Sequence, residues 1–283
     1  MSSLLPTGKA HVSYSEVKNW KECPWKHKLL YIDKLGQDIA SPYLDYGTAI
    51  HECCESFLKT GVMDPQPAID AIETAWEAHG FDEEAFVKRR QSEARSQGWT
   101  YKHDPVENWI QWAKDTLSEV SGFLDTQFPG WECVSAEEPL YESIKDNEGV
   151  TFKGYIDVVL KAKNKRGQVK YWILDWKTAS PRGWHRQKKQ DFLTLAQIAL
   201  YKSYWAEKNN IPLKDVKTGF ILLKRGTSGS NVCSLFEVST GPKTLDKANK
   251  MVNNMIWGLH KGITLKNRQS CRFCEFKNTP ACP

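Results

Sequence analysis

Nowhere in the 283 residues does an apolar run approach the ~20 residues needed to cross a bilayer, which argues against a membrane-spanning helix. The opening stretch, Met1 to Gly8, lacks a basic segment followed by an apolar one, so no secretory signal is expected. The chain is therefore expected to work in the cytoplasm. It has no internal repeat and no low-complexity stretch, which excludes solenoid and fibrous architectures. Charge of one sign is not in large excess. Lys and Arg number 39 against 34 Asp and Glu, and the net +5 permits a polyanionic partner without demanding one. A phosphate-binding Gly-x-x-x-x-Gly-Lys-Ser/Thr loop is also missing, so a nucleotide-driven motor of that kind is not expected in this sequence.

What is present is an ordinary globular composition, 40% hydrophobic and 26% charged, long enough for one elaborated domain or two small ones. Such a length buries a core without disulfide staples. The 12 Trp are expected to be mostly core, with a few available as platforms for bases. Eight cysteines are unevenly spread, and three of them fall in the last 13 residues, a clustering that suggests metal ligation.

Patterning divides the chain. Ser13 and Glu16 have capping-box spacing ahead of Val17 and Trp20, and Pro24 interrupts or restarts that helix. Helices are predicted over 44–58, 68–79 and 82–97. A longer amphipathic helix opens at Asp104-Pro105, with Val106, Trp109, Ile110, Ala113, Leu117, Val120 and Leu124 on one stripe. The character changes near Pro129-Gly130. Strands are predicted over 132–144, 151–161 and 169–176, then a basic loop over 180–189, a helix over 193–208, strands over 217–224 and 232–238, and a helix over 243–260. This order predicts a mixed α/β core with helices at its front.

Asp175 and Lys177 are two apart on a predicted strand and so share a face, while Leu174 and Trp176 point away. Asp157, on the partner strand of a predicted hairpin, can meet them. Two carboxylates suit a hard divalent ion, and a neighbouring ammonium can orient a water or stabilise developing charge. A surface salt bridge between Asp175 and Lys177 is the bland alternative. Its weakness is that both segments are apolar strands, where charges are costly unless paired or metal-bound.

Gly154-x-x-Asp157 followed by Asp175-x-Lys177 resembles the PD-(D/E)xK nuclease core, and in particular its RecB-like branch. Gly47 to Glu52 resembles that branch's upstream helix, whose histidine, here His51, is a metal ligand. Gln197-x-x-x-Tyr201 resembles the helix after the D-x-K strand, and Glu137 or Glu138 could be the additional acidic position. The resemblance implies a restriction-endonuclease-like mixed β-sheet core flanked by helices, with a helical N-terminal part (1–128), the nuclease core (129–262) and a cysteine-rich C-terminal clasp (263–283). It further implies Mg²⁺ or Mn²⁺ held by His51, Asp157, Asp175 and the Trp176 carbonyl, with Lys177 acting on the nucleophile. Gln197 and Tyr201 would position a phosphate or nucleotide, plain i,i+4 helix packing being the other reading.

Cys271, Cys274 and Cys282 supply three thiolates, and spacing alone does not separate an iron–sulfur cluster from a zinc site. In the iron–sulfur members of the branch the fourth ligand comes from the N-terminal segment, so the resemblance implies a [4Fe–4S] cluster on Cys23, Cys271, Cys274 and Cys282. Cys53, Cys54, Cys133 and Cys233 read as buried small hydrophobes. In the basic loop, Arg182, Arg186, Lys188 and Lys189 surround Trp184, a mixture that suits phosphates and one stacked base of a single strand. The basic hairpin over 161–170 reads as a solvated turn. The function expected is a metal-dependent DNA exonuclease acting on single strands or DNA ends, in repair or recombination. A separate helicase or recombination protein is the expected partner, in a bacterial, archaeal or phage-infected cell. A non-catalytic DNA-binding or CRISPR-adaptation accessory module of the same fold, or a zinc-clasped structural protein, are the rival classes.

Overall fold

The computed structural model describes residues 4–36, 41–96, 98, 100–101 and 105–283. A short strand β1 (His11–Ser13) runs straight into α1 (Tyr14–Glu22), α2 (Pro24–His27) and a π-helical turn (Lys28–Ile32). Four helices follow: α3 (Pro42–Thr60), α4 (Gln66–Ala78), α5 (Glu83–Ser96) and α6 (Val106–Gln127). Next come β2 (Glu132–Ser143), β3 (Thr151–Lys163), β4 (Val169–Ala179), α7 (Arg186–Gln190), α8 (Phe192–Lys208), β5 (Val216–Lys224), β6 (Cys233–Glu237) and α9 (Pro242–His260). No helix among the described residues is long and apolar enough to cross a membrane.

The strands make one mixed six-stranded sheet. β3 is its organising strand. β2 pairs antiparallel along one whole edge, from Glu132↔Lys161 to Ser143↔Thr151. The opposite edge is shared. β1 pairs parallel with its start, from His11↔Thr151 to Ser13↔Lys153, and β4 pairs antiparallel with its end, from Val158↔Leu174 to Lys163↔Val169. Between those two partners, Gly154 to Asp157 have no ladder partner on that edge, and the sheet carries a notch there. β5 joins β4 in parallel, with α8 in the connection, and β6 closes the far edge antiparallel to β5.

Helices pack on both faces. One apolar cluster joins Val17 of α1, Ile198 of α8 and Val252 of α9 to Phe152, Ile156 and Ile173 of the sheet. The other joins Ile50 of α3, Ile72 of α4 and Leu117 of α6 to Leu174, Trp176 and Ile221. Ile173 and Leu174 fall in different clusters, as strand alternation requires. The stripe of α6 is buried at Trp109, Ala113, Leu117, Val120 and Leu124. Asp104 and Gln97, expected at helix ends, lie outside the described residues.

Four expectations need correction. The sheet has six strands rather than five, because β1 is too short to show periodicity. The stretch expected as a loop over 180–189 contains α7, capped by His185, whose Nδ1 accepts from the Lys188 N–H at 3.2 Å. Cys133 is exposed, since β2 bulges between Cys133 and Ser135, whereas Cys53, Cys54 and Cys233 are buried. The capping box is half made. Ser13 Oγ accepts from the Glu16 N–H at 3.3 Å, but the Glu16 carboxylate turns inward to His27 Nε2 at 3.1 Å.

Candidate active site

The β3–β4 ladder stops at Val158↔Leu174. The next rung would set Asp157 against Asp175, and there the strands part around their carboxylates. Asp157 Oδ2 accepts the Trp176 N–H at 2.8 Å, and His51 Nδ1 of α3 lies 3.4 Å from the same oxygen. Asp175 is buried at 1% exposure. Its Oδ1 accepts from Gln197 Nε2 of α8 at 2.9 Å, and Lys177 Nζ ion-pairs with its other oxygen. Gln197 in turn sits 3.4 Å from the Tyr201 hydroxyl. Because the N–H and C=O of a strand residue face the same edge, the bond from Trp176 to Asp157 turns the Trp176 carbonyl toward the same fork.

Gly154 is required by this packing. A Cβ there would lie 2.9 Å from Tyr201 Cε1 and 3.2 Å from Phe152 Cε1. Of the two acids left open by the sequence, Glu137 is the one at the site. The pairs Ala136↔Val158 and Glu138↔Ile156 bracket it, which sets it opposite Asp157. It holds a left-handed backbone (φ 52), a conformation costing about 1–3 kcal/mol that concentrates at functional sites. Glu138 is engaged elsewhere, with Lys208 Nζ and Ser135 Oγ each at 2.7 Å.

The electrostatics follow from burial. Burial, and then the charge of Asp175, push the Asp157 carboxyl well above its usual range. Burial also raises Asp175, against the pull of Lys177. Burial alone would lower Lys177, but Asp175 and Asp157 together outweigh it and keep the ammonium charged. Burial, and then Lys177, bring His51 down to about 4, so its imidazole is neutral at neutral pH and has a lone pair to give. Glu137 is raised by burial, then by Glu55 and, more weakly, by Asp175. The fork thus holds an excess of buried negative charge. Two aspartates, a neutral imidazole and a backbone carbonyl form an oxygen-rich donor set of the kind that suits Mg²⁺ or Mn²⁺. As they lie, no three His, Cys, Asp or Glu side chains among the described residues already form a metal cage.

The expected basic segment adjoins this fork. Lys188 is lowered by burial and then by the charges of Lys18 and Lys177, so it lies within reach of the fork's ammonium. Arg182 and Arg186 are exposed. Trp184, however, is not presented to solvent. It is 8% exposed and packs on Phe220 and Phe236, with Lys188 Nζ 4.6 Å from its ring centre, so it belongs to the core rather than to a base-stacking surface. Sequence reasoning missed Tyr14, whose hydroxyl donates to the Leu193 carbonyl and which senses the charges of Asp191 and Asp175. Its place on the first turn after the Ser13 cap was the available signal.

Between the end of α1 and the C-terminal tail, Cys23, Cys271, Cys274 and Cys282 line one pocket with Trp25 and Phe276. Hydrogen bonds tie the tail to the N-terminal helices. Asn267 Nδ2 and Ser270 Oγ both donate to the Glu22 carbonyl, at 2.8 and 2.7 Å, and Trp25 Nε1 donates to the Ala281 carbonyl at 3.1 Å. The Asn267 N–H points at Cys23 Sγ, 3.3 Å away.

No curated protein sequence matches the chain significantly. Among solved structures, one described as a candidate exonuclease from Eubacterium rectale superposes with a TM-score of 0.50 at 13% identity, covering 94% of this chain and 86% of that one. The protein SSO0001 gives a TM-score of 0.41 at 11% identity, covering 95% of this chain and 84% of its own. At such identities a likeness shows the fold alone. The family profile reaches further, since it matches residues 11–283 and so takes in the acids, the lysine, the histidine and the cysteine tail together. With a restriction-endonuclease-like mixed sheet whose central strands part around Asp157 and Asp175, the chain belongs to the PD-(D/E)XK nuclease superfamily.

Proposed function

We propose that the chain is a Mg²⁺- or Mn²⁺-dependent deoxyribonuclease that hydrolyses phosphodiester bonds, working as an exonuclease on single-stranded DNA or DNA ends. The observation that carries this is the pair of acids at the β3–β4 fork, Asp175 buried and Asp157 half-buried, with one charged ammonium and one neutral imidazole beside them. Asp157, Asp175, His51 and the Trp176 carbonyl are the groups that would hold the ion, and Glu137 stands next to them. The ion, when bound, polarises the scissile phosphate and makes a nucleophile available from water near neutral pH. Lys177, held charged by the two acids, stabilises the negative charge that builds on the phosphate and orients the attacking water. Gln197 fixes the rotamer of Asp175, and Tyr201 fixes Gln197. Arg182, Arg186, Lys188 and Lys189 supply phosphate contacts beside the fork. The exonuclease description of the Eubacterium rectale protein agrees with this mode of action.

For the cysteine pocket we assign a [4Fe–4S] cluster on Cys23, Cys271, Cys274 and Cys282, with a structural role in tying the chain ends together. Support comes from the four cysteines lining one pocket from opposite ends of the sequence, where as they lie they do not already form a metal cage. Zinc is the alternative occupant. The nuclease reading is tested on single strands labelled at the 5′ or 3′ end, incubated with Mn²⁺ or with EDTA. Cleavage from one end in Mn²⁺ and none in EDTA is expected. Cleavage that persists in EDTA would remove the metal from the account.

A further inference from the structure

The notch at Gly154 to Asp157 opens outward into a cleft of about 410 Å³ lined by Lys9, Ser13, Lys153, Tyr155, Gln197 and Tyr201. Gln197 donates to Asp175 and Tyr201 sits against Gln197, so the cleft reaches the side chains that flank the acids and runs from there to the outer face of the sheet. What lies on that face follows from register. Ser13, Lys153 and Tyr141 form one row across β1, β3 and β2, with His11 in the row before and Tyr155 in the row after. The alternate residues Val12, Phe152 and Leu140 are buried in the core, so this row and its neighbours face solvent.

This face carries exposed rings among cations. Two tyrosines stand on it, Tyr141 at 57% and Tyr155 at 49% exposure. Lys153 Nζ lies 5.9 Å from the Tyr155 ring centre, and the His11 ring lies 5.9 Å from that of Tyr141. Lys9, also exposed, flanks them. His11 is lowered by burial and then by the charges of Lys153 and Lys9, against the weaker pull of Glu16. Exposed aromatic rings interleaved with cations are the surface that unpaired bases and their phosphates recognise, whereas a duplex hides its base faces.

We propose that the outer face of β1, β3 and β2 is a track for single-stranded DNA that feeds the fork through the Gly154 notch. Lys9 and Lys153 hold backbone phosphates, and Tyr155 and Tyr141 stack on bases. The track is distinct from the basic segment already described: Arg182 to Lys189 follow β4, while this face belongs to β1, β3 and β2. It rests on the nuclease reading, because it supplies the substrate's path to that site.

The test is binding of the full-length protein to a labelled oligothymidylate of about 15 nucleotides, long enough to span a track of this kind. It is read by fluorescence anisotropy in EDTA across a salt titration. The Lys9→Ala/Lys153→Ala protein should bind more weakly, with the slope of log K against log salt reduced by about 1.4, or ~0.7 per phosphate contact on a single strand. Tyr155→Ala should weaken binding roughly tenfold, and Tyr155→Phe, which keeps the ring, should not. Lys165→Ala/Arg166→Ala, on the turn between β3 and β4, should bind as the wild type does. Unchanged affinity and slope in the Lys9/Lys153 and Tyr155 variants would overturn the track, as would equal losses on a blunt duplex. Asp175→Ala separates the two claims. If that protein still cleaves DNA, the nuclease site is wrong, while its binding in EDTA continues to report on the track alone.

Discussion

Asp157 and Asp175 are unfavourable neighbours in a metal-free fold and favourable ones around a divalent cation. A carboxyl whose pKa is raised on folding costs stability where it is ionised, and that cost disappears as pH falls. In EDTA at neutral pH, Asp157→Asn should therefore melt higher than the wild type and lose that advantage in acid, while its nuclease activity is abolished. Thermal scans at several pH values check the first half and a cleavage assay the second. Lys177→Ala should cut cleavage by at least about a hundredfold with DNA binding retained, the scale of removing one charge-stabilising group. Gln197→Ala, which frees Asp175 to change rotamer, should lower kcat by about tenfold or more, since small misplacements of reacting groups are costly. These acids and the lysine were legible in the sequence because D-x-K spacing on an apolar strand forces one face. Glu137 was legible only as one of two candidates, since its part depends on register and on a positive φ. Trp184 was misread because its partners, Phe220 and Phe236, come from strands a long way down the chain.

At the scale of elements, long periodic segments were readable and short ones were not. α6 announces itself by its apolar stripe, and β4 and β5 by apolar runs rich in β-forming residues between turn residues. β1, three residues long, has no period to read, yet it forms one side of the notch. The notch itself is a property of pairing, namely two short partners sharing one edge of β3, and no local pattern encodes that. Gly154 marks it indirectly. Gly154→Ala should destabilise the protein by about 1–3 kcal/mol and impair cleavage, because the new methyl meets Tyr201, the residue that steadies Gln197. Urea unfolding gives the first number. Gly258 plays the corresponding part between α9 and α1, where a Cβ would come within 2.5 Å of Trp20, and Gly258→Ala should cost stability on the same scale without touching the fork.

At the scale of the molecule, residues remote in sequence converge twice. His51, Asp157, Asp175 and Gln197 meet at the fork, and Cys23 meets the tail at the clasp. If the clasp holds an iron–sulfur cluster, anaerobically purified protein should absorb near about 400 nm, and Cys271→Ser should abolish that band. A colourless protein that releases zinc on acid treatment would reassign the pocket. The hydrogen bonds from Asn267, Ser270 and Trp25 should keep the tail docked long enough for the variant to be purified and compared. The central claim is that the two strand acids jointly hold a divalent cation, and Mn²⁺ binding measures it most directly. At Mn²⁺ about a hundredfold above its Kd, the wild type should gain about 2.7 kcal/mol of stability, seen as a rise in melting temperature. Asp175→Asn should gain far less, and titration followed by the electron spin resonance of free Mn²⁺ should show the site lost. Equal Mn²⁺ uptake and equal stabilisation in the wild type and in Asp175→Asn would contradict the account.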